Sequence, residues 1–174
     1  MILLYNMSDL QDVTDDIELN ENDAQIYLDG LLNLLDPAET RDLQLGISLS
    51  GGMDFSVLKD RQFNRVESIV FQHPGQVTEL RNIPDGVIYI ECANQSISEF
   101  DNGPASLEEL YMPDNQMKKF SGKQYPKLRI LNLSNNQLTH LDNLPSTLKT
   151  LECNNNQIRR LSLEKTQQLT RLNA

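Results

Sequence analysis

The chain has 174 residues, enough for one compact domain or one elongated repeat array, with 39% apolar residues, 6% aromatic residues and no tryptophan. Its net charge of −10 sits on one end: residues 1–44 hold 11 of the 25 acids and one base, Arg41, whereas residues 45–174 hold 14 acids and 14 bases. An acidic quarter repels phosphate, so nucleic acid and anionic membrane are excluded as expected partners and a basic protein surface is favoured.

The opening MILLYNMSDL has a short apolar run but no basic segment before it, and acids follow at once, so no classical signal peptide is expected. No segment approaches the roughly 18 apolar residues of a membrane span. Residues 1–20 read as a solvated acidic leader. Within 12–23 (DVTDDIELNEND) oxygens recur every second residue, but the central glycine and closing glutamate of a calcium loop are missing.

Residues 21–62 are predicted to form a helical cap and a bend. Asn20 and Asp23 mark a helix start, after which Ala24, Tyr27/Leu28, Leu31 and Leu34/Leu35 recur at helical spacing. Asp36-Pro37-x-Glu39 signals a second helix, and an amphipathic pair would cover the open flank of a following repeat. GISLSGGMDFSVL at 46–58 resembles the S-G-G-x-D-S phosphate loop of the ATP pyrophosphatase family, with Phe55 in place of the closing serine. Such a loop would present backbone N–H groups to phosphate and an aspartate to magnesium. The repeats that begin at Val66 leave no room for the sheet that family requires, so 50–52 is expected to be the bend, and a nucleotide-binding enzyme built on 50–54 is the remote alternative.

From Val66 the chain repeats itself. Segments starting at Val87, Leu107, Leu128 and Leu148 read VIYIECANQSISEF, LEELYMPDNQMKKF, LRILNLSNNQLTHL and LKTLECNNNQIRRL, a weaker copy starts at Val66 and a partial one at Leu169, at spacings of 21, 20, 21, 20 and 21 residues. These fit L-x-x-L-x-L-x-x-N-x-L-x-x-L. The segment 66–174 resembles the leucine-rich repeat family, and its short period together with NLPSTLKTLECNNNQI is similar to the bacterial-type repeats of pathogen effectors. The resemblance implies an α/β fold: a right-handed solenoid of five to six coils over 63–174, with a concave parallel sheet, behind a small helical cap.

The periodicity can also be read directly. Residues two apart on a strand share a face, which points Ile69/Phe71, Ile90/Cys92, Leu110/Met112, Leu131/Leu133 and Leu151/Cys153 inward. Gln95, Asn115, Asn136 and Asn156 occupy the ninth position, where an amide can donate and accept and so bridge successive coils as a structural ladder. Ile97/Phe100, Met117/Phe120, Leu138/Leu141 and Ile158/Leu161 return to the core, and the short connections containing Pro104, Pro126 and Pro145 predict extended or 3₁₀ segments on the convex side. Cys92 and Cys153 fall three coils apart, about 14 Å at the strand spacing, too far for a disulfide, so they are expected to be buried, reduced thiols in an intracellular protein. His73 and His140 are too far apart to share a site. No metal, cofactor or catalytic residue is expected.

The concave face is the remaining candidate. Its columns are Ser68, Tyr89, Glu109, Ile130, Thr150, Arg171 and Val70, Glu91, Tyr111, Asn132, Glu152, Asn173. The expected partner-binding residues are Tyr89, Glu91, Glu109, Tyr111, Ile130, Asn132 and Glu152, two aromatic anchors in a charged surround. Tyr, Ile and Thr also suit a sheet for packing reasons alone. The expected function is a non-catalytic protein-binding scaffold, cytoplasmic and, where effector-like, in the cytoplasm of a host cell. The alternative is a structural subunit of a larger assembly, such as a virus particle, docking through the acidic arm and the solenoid ends. Leu161, Leu163 and Leu172 border an open last coil, which predicts self-association or capping by a partner there.

Overall fold

The computed structural model describes residues 23–174. The acidic leader, the Asn20 cap and nearly all of the stretch 12–23 lie outside the described residues.

The L-x-x-L-x-L signature folds as predicted for a short strand per coil. Strands β3 (Ser68–Phe71), β5 (Tyr89–Glu91), β6 (Glu109–Tyr111), β8 (Ile130–Asn132), β10 (Thr150–Glu152) and β12 (Arg171–Asn173) lie side by side in one parallel sheet. The register sets Ile69 beside Ile90, then Leu110, Leu131, Leu151 and Leu172, so equivalent repeat positions form straight columns. The middle residues of β3, β5, β6, β8 and β10 are fully buried. Strands β5, β6, β8, β10 and β12 are each entered through a turn that closes three residues back, as in Leu107 N–H to the Pro104 carbonyl (3.2 Å) and Leu148 N–H to the Pro145 carbonyl (3.2 Å).

On the return side the expected extended and 3₁₀ segments are present and are more ordered than the connection lengths implied. β7 (Lys119–Ser121), β9 (His140–Asp142) and β11 (Arg160–Leu161) pair as a second parallel sheet, and Gly122–Gln124 forms a 3₁₀ turn. Tyr125 is wholly buried here, stacked between Phe100 and Phe120 at centroid distances of 6.0 and 5.5 Å, and its hydroxyl donates to the Phe100 carbonyl (3.2 Å). Gly103 permits this packing, because a Cβ there would lie 2.7 Å from the Phe100 ring and 2.9 Å from Tyr125.

The N-terminal part departs from expectation. The sheet begins at β1 (Asp42–Leu45), inside the stretch read as cap and bend, and Leu43 pairs with Ile69 in the common register. Residues 50–52 do not bend: Ser50–Asp54 is strand β2, parallel to β4 (Gln76–Arg81) with a bulge between Gly51 and Gly52. Pairing with β4 satisfies the backbone of SGGMD better than an open turn would, and buries Met53. The second expected helix is a single turn. Asp36 caps the Ala38 N–H (2.8 Å) and accepts from the Glu39 and Thr40 amides through its carbonyl, but the chain must be extended by Asp42, too soon for a helix to propagate.

Helix α1 (Asp23–Leu32) does cover the first coil, through Ala24, Leu28 and Leu32. Its Gln25 accepts from the Asp54 N–H (2.7 Å) and donates to the Asp54 carbonyl (3.2 Å), which pairs the backbone at the end of β2 with a side-chain amide. Helix α2 (Ser56–Asp60) follows β2 and buries Leu58.

The turns after the repeat strands carry the inter-coil bonding. Asn94, Asp114, Asn135 and Asn155 adopt left-handed backbone (φ 55°, 56°, 56° and 56°), a conformation in which Asn and Asp are enriched. The next residue is the ninth-position amide. Asn115 donates to the Cys92 carbonyl (2.8 Å) of the coil before and accepts from the Ile97 N–H (3.0 Å). Asn136 does the same with the Met112 carbonyl (2.9 Å) and Met117 N–H (2.9 Å), and Asn156 with the Leu133 carbonyl (2.8 Å) and Leu138 N–H (2.9 Å). Gln95, one methylene longer, donates to the His73 carbonyl (2.8 Å) and accepts from Val77 N–H (3.3 Å). Gly75 lies against it, where a Cβ would meet the Gln95 amide oxygen at 2.7 Å as well as the Leu49 carbonyl.

Asn136→Ala strands the buried Met117 N–H and leaves the Met112 carbonyl with a single long bond from Asn115 (3.4 Å); since an unpaired buried group costs about 1–3 kcal/mol, we expect a loss of about 2 kcal/mol in urea unfolding. The exposed neighbour Gln137→Ala is expected to change stability by less than about 0.5 kcal/mol in the same assay.

Candidate functional site: the outward face of the main sheet

In the main-sheet strands β5, β6, β8 and β10 the middle residue is buried and the two flanking residues are half-buried on the other face. Register aligns Tyr89 with Glu109 and Glu91 with Tyr111, so β5 (Tyr-Ile-Glu) and β6 (Glu-Leu-Tyr) present a two-by-two checkerboard. The tyrosines occupy one diagonal, with ring centroids 5.5 Å apart and planes tilted by 39°. The glutamates occupy the other. Tyr89 Oη donates to Glu91 Oε2 (2.8 Å) and Tyr111 Oη to Glu109 Oε2 (3.1 Å). Each tyrosine is thereby tied to the carboxylate two residues away on its own strand, while its ring leans across to the other tyrosine.

Burial, then the hydrogen-bonded carboxylate and the nearby negative charges, disfavour ionisation of both phenols. The Tyr111 hydroxyl is pushed up to about 12 and that of Tyr89 further still. Both therefore remain protonated donors at neutral pH.

The neighbouring strands extend the face differently. Ile130 lies beside Glu109, and Asn132 beside Tyr111. Asn132 donates to Glu152 (3.0 Å), Glu152 pairs with Arg171 (3.0 Å), and the Ser134 hydroxyl and N–H both bond to Asn132 Oδ1 (2.6 and 3.0 Å). Glu152 thus has a cation beside it. Glu91 and Glu109 take part in no ion pair among the described residues; the arginine and lysine partners go instead to Glu67, Asp29, Glu79, Glu99, Asp101, Glu108 and Glu152.

All seven residues singled out on the sequence lie on this one face. Tyr89, Glu91, Glu109 and Tyr111 form the square, Ile130 adjoins it, and Asn132 and Glu152 belong to the polar network that follows. Ile88 was missed: it immediately precedes β5 and is 39% exposed, one of the few large apolar side chains left in solvent. The available signal was an isoleucine at a repeat position that holds Glu67, Glu108, Arg129, Lys149 and Thr170 in the other copies. The predicted amides Gln95, Asn115, Asn136 and Asn156 are half-buried or buried in the turns, away from solvent-facing chemistry.

Elsewhere, Asp54 of the SGGMD segment accepts from Asn82 Nδ2 (2.9 and 3.1 Å) and the Ser56 N–H (2.9 Å). The Asn82 bond foremost holds its carboxyl below the usual range. An open groove of about 650 Å³ lies over the second sheet, lined by Asp101, Lys119, Lys123, His140 and Asp142, where Lys119 already bridges Glu99 and Asp101. Among the described residues no group of three or more His, Cys, Asp or Glu is placed to hold a metal, and no helix is long and apolar enough to cross a membrane. Cys92 and Cys153 are free and buried, and burial pushes both thiols up.

Residues 105–146 match the family model "Leucine Rich repeats (2 copies)". The chain is a leucine-rich-repeat protein. Its coils superpose on YopM from Yersinia enterocolitica WA-314 with a TM-score of 0.60 and 22% sequence identity, over 80% of this chain and 29% of that one. The chain thus spans less than a third of that structure's length, and the likeness is one of fold. No curated protein matches the chain.

Because unfolded tyrosines ionise near pH 10 and the folded ones later, the contribution of these phenols to stability is intact below pH 10 and declines as pH rises toward 12. In an ultraviolet titration of tyrosinate, Glu91→Gln/Glu109→Gln is expected to move part of the ionisation to lower pH. An unchanged curve would show that the carboxylates do not act on the phenols.

Proposed function

We propose that the chain is a non-catalytic protein-binding module that takes its partner on the outward, concave face of the main sheet, with Tyr89, Glu91, Glu109, Tyr111, Ile130, Asn132 and Glu152 in contact. The observation that carries this reading is the Tyr/Glu square. Two half-exposed aromatic rings, held rigid by hydrogen bonds and surrounded by charge, have the make-up of an interface anchor. Rigid side chains lose little entropy on binding, and the parallel sheet fixes their spacing before a partner arrives. The fold shared with YopM supports a solenoid platform and by itself says nothing of the partner.

Two observations favour binding over catalysis. In the SGGMD segment the backbone pairs with β4 and Asp54 is engaged by Asn82 and Ser56, which disfavours a phosphate cradle there. The strongly shifted groups of the face are phenols pushed away from neutrality, the opposite of what a general acid or base at pH 7 requires. The free thiols of Cys92 and Cys153 suit an intracellular setting, which we propose as the working compartment.

The test is affinity capture from cell extract on immobilised chain, with Tyr89→Ala/Tyr111→Ala as the control. Both rings are half-exposed, so the variant is expected to keep the wild-type circular dichroism spectrum while losing about thirtyfold in affinity for the retained protein. Equal retention by the folded double variant would overturn the concave-face reading.

A further inference from the structure

We infer that the square formed by Tyr89, Glu91, Glu109 and Tyr111 receives an arginine side chain from an extended basic segment of a protein partner. This inference rests on the concave-face reading and supplies the chemistry of the partner.

Charge complementarity commits the face to a cation. Its outward columns from β1 to β12 carry the carboxylates of Asp42, Glu91, Glu109 and Glu152 against one base, Arg171. That base is spent on Glu152. Glu91 and Glu109 are half-buried, which makes an uncompensated carboxylate more costly than on open surface, yet among the described residues their side-chain partners are the neutral phenols. A cation arriving between them gains two charges already partly stripped of water.

The tyrosines make the same site favour a flat cation. Each phenol donates a hydrogen bond to a carboxylate, which leaves the ring richer in electrons and its face more attractive to positive charge. The rings occupy the diagonal opposite to the carboxylates, so a guanidinium could lie against a ring while its N–H fork reaches a glutamate. An ammonium offers one of these contacts at a time. Exposed Ile88 beside Tyr89, and Ile130 beside Glu109, supply apolar surface for the rest of the side chain or its neighbours. A polyanion is repelled by the same carboxylates, which leaves a basic peptide segment as the occupant.

The probe is a fluorescein-labelled hexapeptide of alternating arginine and serine, titrated with the full chain by fluorescence anisotropy. The comparison peptides carry citrulline, a neutral isostere, or lysine at the arginine positions. The arginine peptide is expected to bind about tenfold more tightly than the citrulline peptide and more tightly than the lysine peptide. Glu91→Gln/Glu109→Gln, and separately Tyr89→Leu/Tyr111→Leu, should each weaken it about tenfold. Asp85→Asn/Glu164→Gln removes the same charge from exposed positions off this face and should leave binding unchanged. Circular dichroism confirms that each variant is folded.

Equal losses in the Glu91/Glu109 and Asp85/Glu164 variants would reduce the effect to net charge and overturn the inference. So would equal binding of the citrulline peptide, or no binding of the arginine peptide. If the peptide fails while proteins captured from extract still depend on Tyr89 and Tyr111, the face binds a partner of other chemistry and the concave-face reading stands. If both fail, both are wrong.

Discussion

The stacking of one coil on the next depends on a buried side-chain amide that speaks to two coils at once. A solenoid turn leaves N–H and C=O groups facing the interior, where water cannot reach them. Asn115, Asn136 and Asn156 each take a carbonyl and an N–H from the coil before, and Gln95 does so for the weaker second coil. Because one group both donates and accepts, the amide fixes translation and rotation together, and a one-residue slip would orphan both bonds. The left-handed residue just before each amide is the local price of that placement.

Register is what turns this packing device into a surface. Once coils repeat in step, residues twenty or so apart in the chain become neighbours across parallel strands. Tyr-Ile-Glu on β5 and Glu-Leu-Tyr on β6 then form a square with like groups on the diagonals. A two-residue slip would place tyrosine beside tyrosine or, the other way, glutamate beside glutamate, and a one-residue slip would turn the buried Ile90 or Leu110 outward. The electrostatic character of the face, two carboxylates without a cation and two phenols held protonated, is thus a consequence of stacking order.

Much of this was legible in the sequence because the repeat dictates which residues share a column. Given six spaced copies, the inward pairs, the amides and both outward columns follow from a period of two within a strand. What escaped were places where the local signal differed from the repeat. The first coil has Thr40 where the later copies have an apolar residue, no ninth-position amide, and a longer path that holds α2, so nothing in its pattern marked Asp42–Leu45 as a strand of the same sheet. SGGMD carries turn-forming residues, and only the partner strand Gln76–Arg81, far along the chain, makes it extended. Asp36-Pro37 did start a turn, and tertiary demand for a strand at Asp42 ended it. The phenol–carboxylate bonds within each strand were also invisible, since identical residues could equally have turned to solvent.

Native-state hydrogen exchange on the folded chain is the most direct test of the amide ladder as the element that holds the coils in register. Among the described residues, the Ile97, Met117 and Leu138 N–H groups bond to side-chain amides of the next coil alone. If those amides bind as tightly as a strand ladder, the three exchange as slowly as the strand amides of Leu110 and Leu131, through the same global opening. Fast exchange at these positions, with the strands still protected, would show that the coils are held by apolar packing alone and that the side-chain amides are dispensable.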